Sequence, residues 1–195
     1  MESTSIKPHN VNVLVEVTKL PTEKDGVFVG ASQTGSTHQA YYTGTALLLG
    51  EKAADESQCP ELKEGVGVIF EQTAGYHLKT DDTFCKLIRG YDIVATTTDL
   101  DNMNAETIKP TKDRILVQII QGSSVKDGVF DGSGDDPREA ATQKGVVISC
   151  AEGAEQITAG TVVAFDPWVG NPIVNDGEIF LKTINSFDIL FSLPE

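Results

Sequence analysis

Lys24-Asp25-Gly26-Val27-Phe28 recurs unchanged as Lys126-Asp127-Gly128-Val129-Phe130, 102 residues further along the chain. Ile6-Lys7-Pro8 recurs as Ile108-Lys109-Pro110 at the same spacing. Beyond them, Phe84-Cys85-Lys86-Leu87-Ile88 with Tyr91-Asp92-Ile93 is matched by Phe180-Leu181-Lys182-Thr183-Ile184 with Phe187-Asp188-Ile189, now at a spacing of 96. Two offsets in that order describe a duplicated unit whose second copy has lost six residues in its middle. The copies are read as 1–98 and 108–195. The polar, aperiodic stretch from Thr96 to Thr107 holds the linker, 99–107.

Within each copy the apolar residues keep the period of a strand. Val11, Val13, Val15 and Val17 alternate with Asn12, Leu14 and Glu16, and Ile115, Val117 and Ile119 alternate with Arg114, Leu116 and Gln118. The later apolar runs, Thr45 to Leu49, Val66 to Phe70, Gly145 to Ser149 and Thr161 to Phe165, are short and lie near glycines. No stretch sustains a helical pattern with caps. The expected fold is all-β: two tandem small β-barrels with little or no helix.

Composition narrows the function. The chain of 195 residues carries 15 Lys and Arg against 29 Asp and Glu, a formal charge of −14 spread over both halves. Binding to nucleic acid or to anionic membranes draws on positive charge and is not expected. No apolar run approaches the roughly 18 residues that span a bilayer. Cys59, Cys85 and Cys150 are too scattered for a disulfide framework and point to a reducing compartment. The first residues, Met1-Glu2-Ser3-Thr4-Ser5, show neither an apolar signal core nor an Arg-rich transit stretch.

Two long polar segments, Thr18 to Thr43 and Gln121 to Lys144, exceed the ordinary length of a loop in a compact domain. Each is expected to be a mobile loop with one apolar island, Gly26-Val27-Phe28-Val29-Gly30 in the first and Gly128-Val129-Phe130-Asp131-Gly132 in the second. An apolar triplet displayed in this way suits a partner's groove better than the domain's own core.

The order of these motifs resembles the GroES-like co-chaperonin family. In the second copy it runs Lys109-Pro110, Asp113-Arg114-Ile115-Leu116-Val117, the Gly-Val-Phe loop, Gly145-Val146-Val147, Gly160-Thr161-Val162-Val163-Ala164-Phe165 and Phe187-Asp188-Ile189-Leu190. The first copy follows the same plan through Lys7-Pro8, Gly44, Gly65 to Phe70 and Tyr91-Asp92-Ile93, with Val11-Asn12 where the family usually carries Asp-Arg. Two such units in tandem are similar to the double-domain co-chaperonins of plastids.

The resemblance implies GroES-like barrels that form a dome of seven, the lid of a barrel-shaped chaperonin of the sixty-kilodalton class with ATP bound. Gly26, Val27, Phe28 and Val29, with Gly128, Val129, Phe130 and Asp131, would be its chaperonin-binding residues. It further implies no catalytic residue, cofactor or metal, and unfolded proteins as clients. Single-domain co-chaperonin subunits would share mixed rings, and the chloroplast stroma would be the compartment, with the cytosol as alternative. A C-terminal strand pairing with the next unit's first strand would join Tyr91–Thr96 to Asp113–Ile119, and Phe187–Leu193 to Ile6–Val17 of a neighbour. A tandem β-barrel that binds another protein or forms a shell without a chaperonin is the alternative reading.

Other chemistry lacks its parts. The barrel also occurs in zinc-dependent alcohol dehydrogenases, but Gly65-Val66-Gly67-Val68-Ile69-Phe70 lacks the last glycine of a dinucleotide fingerprint and reads as a strand. His9, His38 and His77 pair with no cysteine at ligand spacing and are expected at the surface. Asp131, Asp135 and Asp136 lack the alternation and closing Glu of a calcium loop. Cys85 is expected to be a buried thiol, Trp168 and Tyr76 to pack structurally. The segment 154–159 is expected to be too short for a roof hairpin, and the Glu-rich stretch between Gly50 and Gly65 to form an acidic lip.

Overall fold

The computed structural model describes residues 6–18, 23–24, 27–28, 41–55, 59–79, 83–120, 125–126, 129–130, 142–154, 156–175 and 180–193. The chain divides into two compact units, Met1–Met103 and Asn104–Glu195. Both are antiparallel β throughout, and among the described residues helix is confined to three single 3-10 turns, Gly90–Asp92, Glu152–Ala154 and Ser186–Asp188.

The first unit contains β1 (Asn12–Val17), β2 (Glu23–Lys24), β3 (Val27–Phe28), β4 (Tyr41–Leu49), β5 (Gly67–Glu71), β6 (Tyr76–Lys79), β7 (Phe84–Arg89) and β8 (Ile93–Thr97). β1 lies between β4 and β7, β6 pairs with the far edge of β7, and β5 joins β4 to β8. Because side chains alternate across a strand, Val13, Val15 and Val17 turn to one face, where Ala46, Val68, Phe70, Ile88 and Ile93 meet them in a fully buried core.

The second unit repeats this plan. After β9 (Ile108–Pro110) come β10 (Arg114–Ile119), β11 (Val125–Lys126), β12 (Val129–Phe130), β13 (Gln143–Cys150), β14 (Val162–Phe165), β15 (Asn171–Asn175), β16 (Phe180–Asn185) and β17 (Ile189–Leu193). β10 is central, between β13 and β16. Ile115, Val117 and Ile119 face Val147, Val163, Phe165 and Ile184.

Even the irregularities repeat. The register slips at Leu14/Val15 against β4 and at Leu116/Val117 against β13, and again at Ile69/Phe70 and Ala164/Phe165. A bulge bends its strand and tightens the local twist. The unpaired residues are Leu47 on β4 and Ile148 on β13, then Val94 on β8 and Leu190 on β17, and they curl each short sheet into an open barrel; the second unit adds one more shift, between Pro172 and Val174 on β15.

Three expectations need correction. A strand has two edges, and β1 and β10 have both filled within their own units, so Asp113–Ile119 cannot pair with Tyr91–Thr96. For the same reason β1 is closed to Phe187–Leu193 of a neighbour, leaving only residues such as Ile6–Pro8 ahead of it. The alternation reports which face is buried and is silent about neighbours. The stretch between Gly50 and Gly65 is no mere lip: Ala53, Cys59 and Leu62 are buried in the first core, while Glu51, Asp55, Glu61 and Glu64 are exposed. Ala154 fills the equivalent place in the second core. The expected linker is held in turns, Asp99 Oδ1 accepting from the amides of Asp101 and Asn102, and Asn104 Oδ1 from those of Glu106 and Thr107.

Glycine is required at the hairpins that follow β5 and β14. Gly75 and Gly170 have φ of 66° and 64°, and a Cβ on either would lie 2.1 Å from the Leu87 carbonyl oxygen or 2.2 Å from that of Thr183. Gly160 also has positive φ, 92°, but open space around it. Gly170→Ala is therefore expected to cost clearly more than Gly160→Ala, which meets only the conformational penalty of about 1–2 kcal/mol; urea unfolding of the two variants checks the order.

Candidate functional site

Each unit sends out its long segment at the same place, between the central strand and the next strand of the sheet. The segment's base is closed by one further ladder bond, Thr18 N–H to Thr43 O at 2.9 Å in the first unit and Ile120 N–H to Lys144 O at 3.0 Å in the second. Beyond that base the segments are not wholly irregular. β2 pairs with β3, Glu23 opposite Phe28 and Lys24 opposite Val27. β11 pairs with β12, Val125 opposite Phe130 and Lys126 opposite Val129.

Val27, Phe28, Val129 and Phe130 thus stand on the return strands of two short hairpins that form sheets of their own. Gly26, Val29, Gly128 and Asp131 lie outside the described residues. Asp25-Gly26 and Asp127-Gly128 separate the paired strands in sequence, and Asp-Gly is a preferred pair for a two-residue hairpin connection.

At the root of each segment is a group that the sequence reading passed over. Lys86 pairs with Val15 and Lys182 with Val117, so both lysines lie on the core face of their sheets, only 1% and 4% exposed. Lys86 Nζ donates to Gln72 O at 2.7 Å and lies 5.2 Å from the centre of the Tyr42 ring and 5.8 Å from that of Phe70. Lys182 Nζ donates to Pro167 O at 2.8 Å and to Gln143 Oε1 at 3.1 Å, 5.6 Å from the Phe165 ring. Ring faces and turn carbonyls substitute for water around the ammonium.

Burial still disfavours the charge. It lowers the pKa of Lys86, with Asp92 acting the other way. It brings Lys182 down from 10.5 to about 8, against the opposing pull of Asp166. The repeated Lys in two otherwise apolar strands was the available sign.

Other expected residues are dispersed. Cys85 is buried, as expected, and Cys59 is buried in the first core with its thiol pushed up to about 12 by burial. Cys150 Sγ donates to Ile157 O at 3.1 Å. His9 and His77 are exposed, and His77 stacks against Phe84; His38 lies outside the described residues. Tyr76 and Trp168, expected to pack structurally, are each 72% exposed. Both sit on the tight hairpins built by Gly75 and Gly170, whose turns leave little surface to pack against.

β17 pairs only with β14 within the second unit, and it leaves Phe187, just before it, and Leu190 and Phe191 exposed. Val94 and Ala95, at the corresponding positions of β8, are fully buried. Among the described residues no cluster of His, Cys, Asp or Glu could hold a metal ion, and no helix is long and apolar enough to cross a membrane.

Residues 5–97 match the family of the chaperonin 10 kDa subunit, whose members are co-chaperonins. No curated protein matches the chain.

Replacing Lys182 by Met is expected to stabilise the chain at pH 7 by about 1–3 kcal/mol, since it removes a buried charge that is held below its ordinary pKa. A lysine lowered to about 8 in the fold binds fewer protons there than unfolded, so wild-type stability rises between about pH 8 and 10.5 and the advantage of Met shrinks in that window. Cys59 works in the opposite direction but equally in both proteins. Urea midpoints of the pair at pH 7 and pH 9.5 measure the difference.

Proposed function

We propose that this chain, whose residues 5–97 belong to the chaperonin 10 kDa subunit family, is a two-unit co-chaperonin that caps a barrel-shaped chaperonin in its ATP-bound state and carries no catalysis of its own. The observation that supports this reading is the pair of hairpins. In both units a Val-Phe pair stands on a separate two-stranded ladder.

Docking by such tips is weak singly and strong together. Burying three apolar side chains yields roughly 5–8 kcal/mol, and ordering the segment that presents them costs about 2–5 kcal/mol. Several tips on one ring act at high effective concentration, so avidity accumulates without new contacts, and a modest change in the chaperonin's grooves releases them all.

The assembly follows from the free edge of β17. An unpaired strand edge bearing exposed Leu190 and Phe191 invites another strand, and a neighbour's Ile6–Pro8 is the segment left to supply it. A closed ring of seven units cannot be made from chains of two, so three such chains with one single-domain co-chaperonin complete it. Unfolded proteins enclosed beneath the lid are the clients, and the chloroplast stroma is the proposed compartment.

The two hairpins are unequal. Val27, Phe28 and Val29 are all apolar, whereas Asp131 holds the third place in the second copy, and a carboxylate resists burial without a cation. Phe28→Ala is expected to weaken binding to ATP-loaded chaperonin by about 2–3 kcal/mol per docked tip, Phe130→Ala by less, and Asp131→Val to strengthen it. Equal losses at the two phenylalanines would contradict the ranking. Removing residues 187–195 should leave monomers in light scattering while the first unit remains folded; an unchanged assembly would overturn the role of β17. A chain that assembles but ignores the chaperonin would instead favour the shell-forming alternative.

A further inference from the structure

Two lysines inside the cores of otherwise apolar sheets call for a reason, because an apolar side chain there gives the same ladder without the cost of desolvating a charge. Their partners supply one. Gln143 is the first residue of β13 and Tyr42 the second of β4, so both belong to the strands that return from the long segments. Pro167 and Gln72 belong to the turns that follow β14 and β5. Lys182 Nζ bridges Gln143 Oε1 and Pro167 O. Lys86 Nζ bonds Gln72 O and lies over the Tyr42 ring, while Gln72 Nε2 donates to Tyr42 Oη at 3.2 Å and closes the link.

We propose that Lys86 and Lys182 are positioning residues for the two long segments: each ammonium fastens the root of its segment to the adjacent turn. The bridge is built differently in the two units. Lys182 has two oxygens and one ring, Lys86 one oxygen and two rings. A charge-assisted hydrogen bond is roughly twice as strong as a neutral one, so the two oxygens of the second unit make its bridge the firmer.

The groups around each ammonium are few among the described residues. Asp166, from the turn after β14, faces Lys182. Val117 on β10 and Pro172 on β15 are its uncharged strand neighbours, and Lys144 is the residue next to Gln143 on β13. Around Lys86 stand Asp92 from the 3-10 turn after β7, His77 opposite it on β6 and Val15 on β1.

The test reads the last ladder bond at each root, Ile120 N–H to Lys144 O and Thr18 N–H to Thr43 O. Amide hydrogen exchange of the full chain and its variants is followed at pH 7 and expressed as protection factors. Protection at Ile120 is expected to fall three- to tenfold in Lys182→Met while Val163 in the core keeps or gains protection. Gln143→Leu, made independently, is expected to give the same local fall. Wild-type protection at Ile120 in either variant overturns the proposal. Consequences for docking rest on the co-chaperonin reading, but the exchange measurement does not. A chain whose variants show the fall at Ile120 but which binds no chaperonin refutes that reading and upholds this one, and a chain that binds while its variants show no fall does the reverse.

Discussion

Each unit depends on a central strand with both edges paired and one face buried. β1 and β10 hold their neighbours in register on two sides at once, and a slip of one residue would carry Val13, Val15 and Val17 out of the core. Bulges on the strands beside it, at Leu47 of β4 and Ile148 of β13, add curvature. Everything of functional interest is attached to this frame at fixed points. The long segment leaves from the strand's end, the lysine stands opposite its middle, and the tight hairpin that the lysine bonds lies across the next ladder.

Much of this was legible in the sequence, for a physical reason. A duplicated chain repeats its errors as well as its pattern, so Ile6-Lys7-Pro8 and the two Lys-Asp-Gly-Val-Phe stretches reveal the copies directly. Alternation at Val13, Val15 and Val17 marks a buried face because strand side chains have a period of two. The neighbours of β1 and β10 were not legible, since period two says nothing of which edge meets which. Ala53, Cys59 and Leu62 were hidden in a Glu-rich stretch whose charged residues point outward while three small or apolar ones close the core. The buried lysines were masked by context, because a lone Lys in an apolar run reads as the exposed face of a strand. Only the three-dimensional pairing with Val15 and Val117 shows that it faces inward.

The copies share a frame and differ at its edges and long segments. Their central-strand core positions correspond, whereas Val29 is replaced by Asp131, Tyr42 by Gln143, and buried Val94 and Ala95 by exposed Leu190 and Phe191. A duplicated chain that must keep two folded cores has little freedom inside them, since interiors are packed densely enough that small volume changes are felt. Its freedom lies at edges and tips. On the co-chaperonin reading, an unequal pair of tips and the exposed edge of β17 would give each chain a direction along a ring and a stronger and a weaker point of attachment.

The central claim is that this repeated frame exists to present the two hairpins to a chaperonin. It is tested most directly by electron cryo-microscopy of the chain mixed with a barrel-shaped chaperonin, ATP and a single-domain co-chaperonin. The account predicts a dome closing the chamber, with density for residues 27–29 in the apical grooves and weaker density for 129–131. Open chambers beside a chain that assembles only with itself would contradict it.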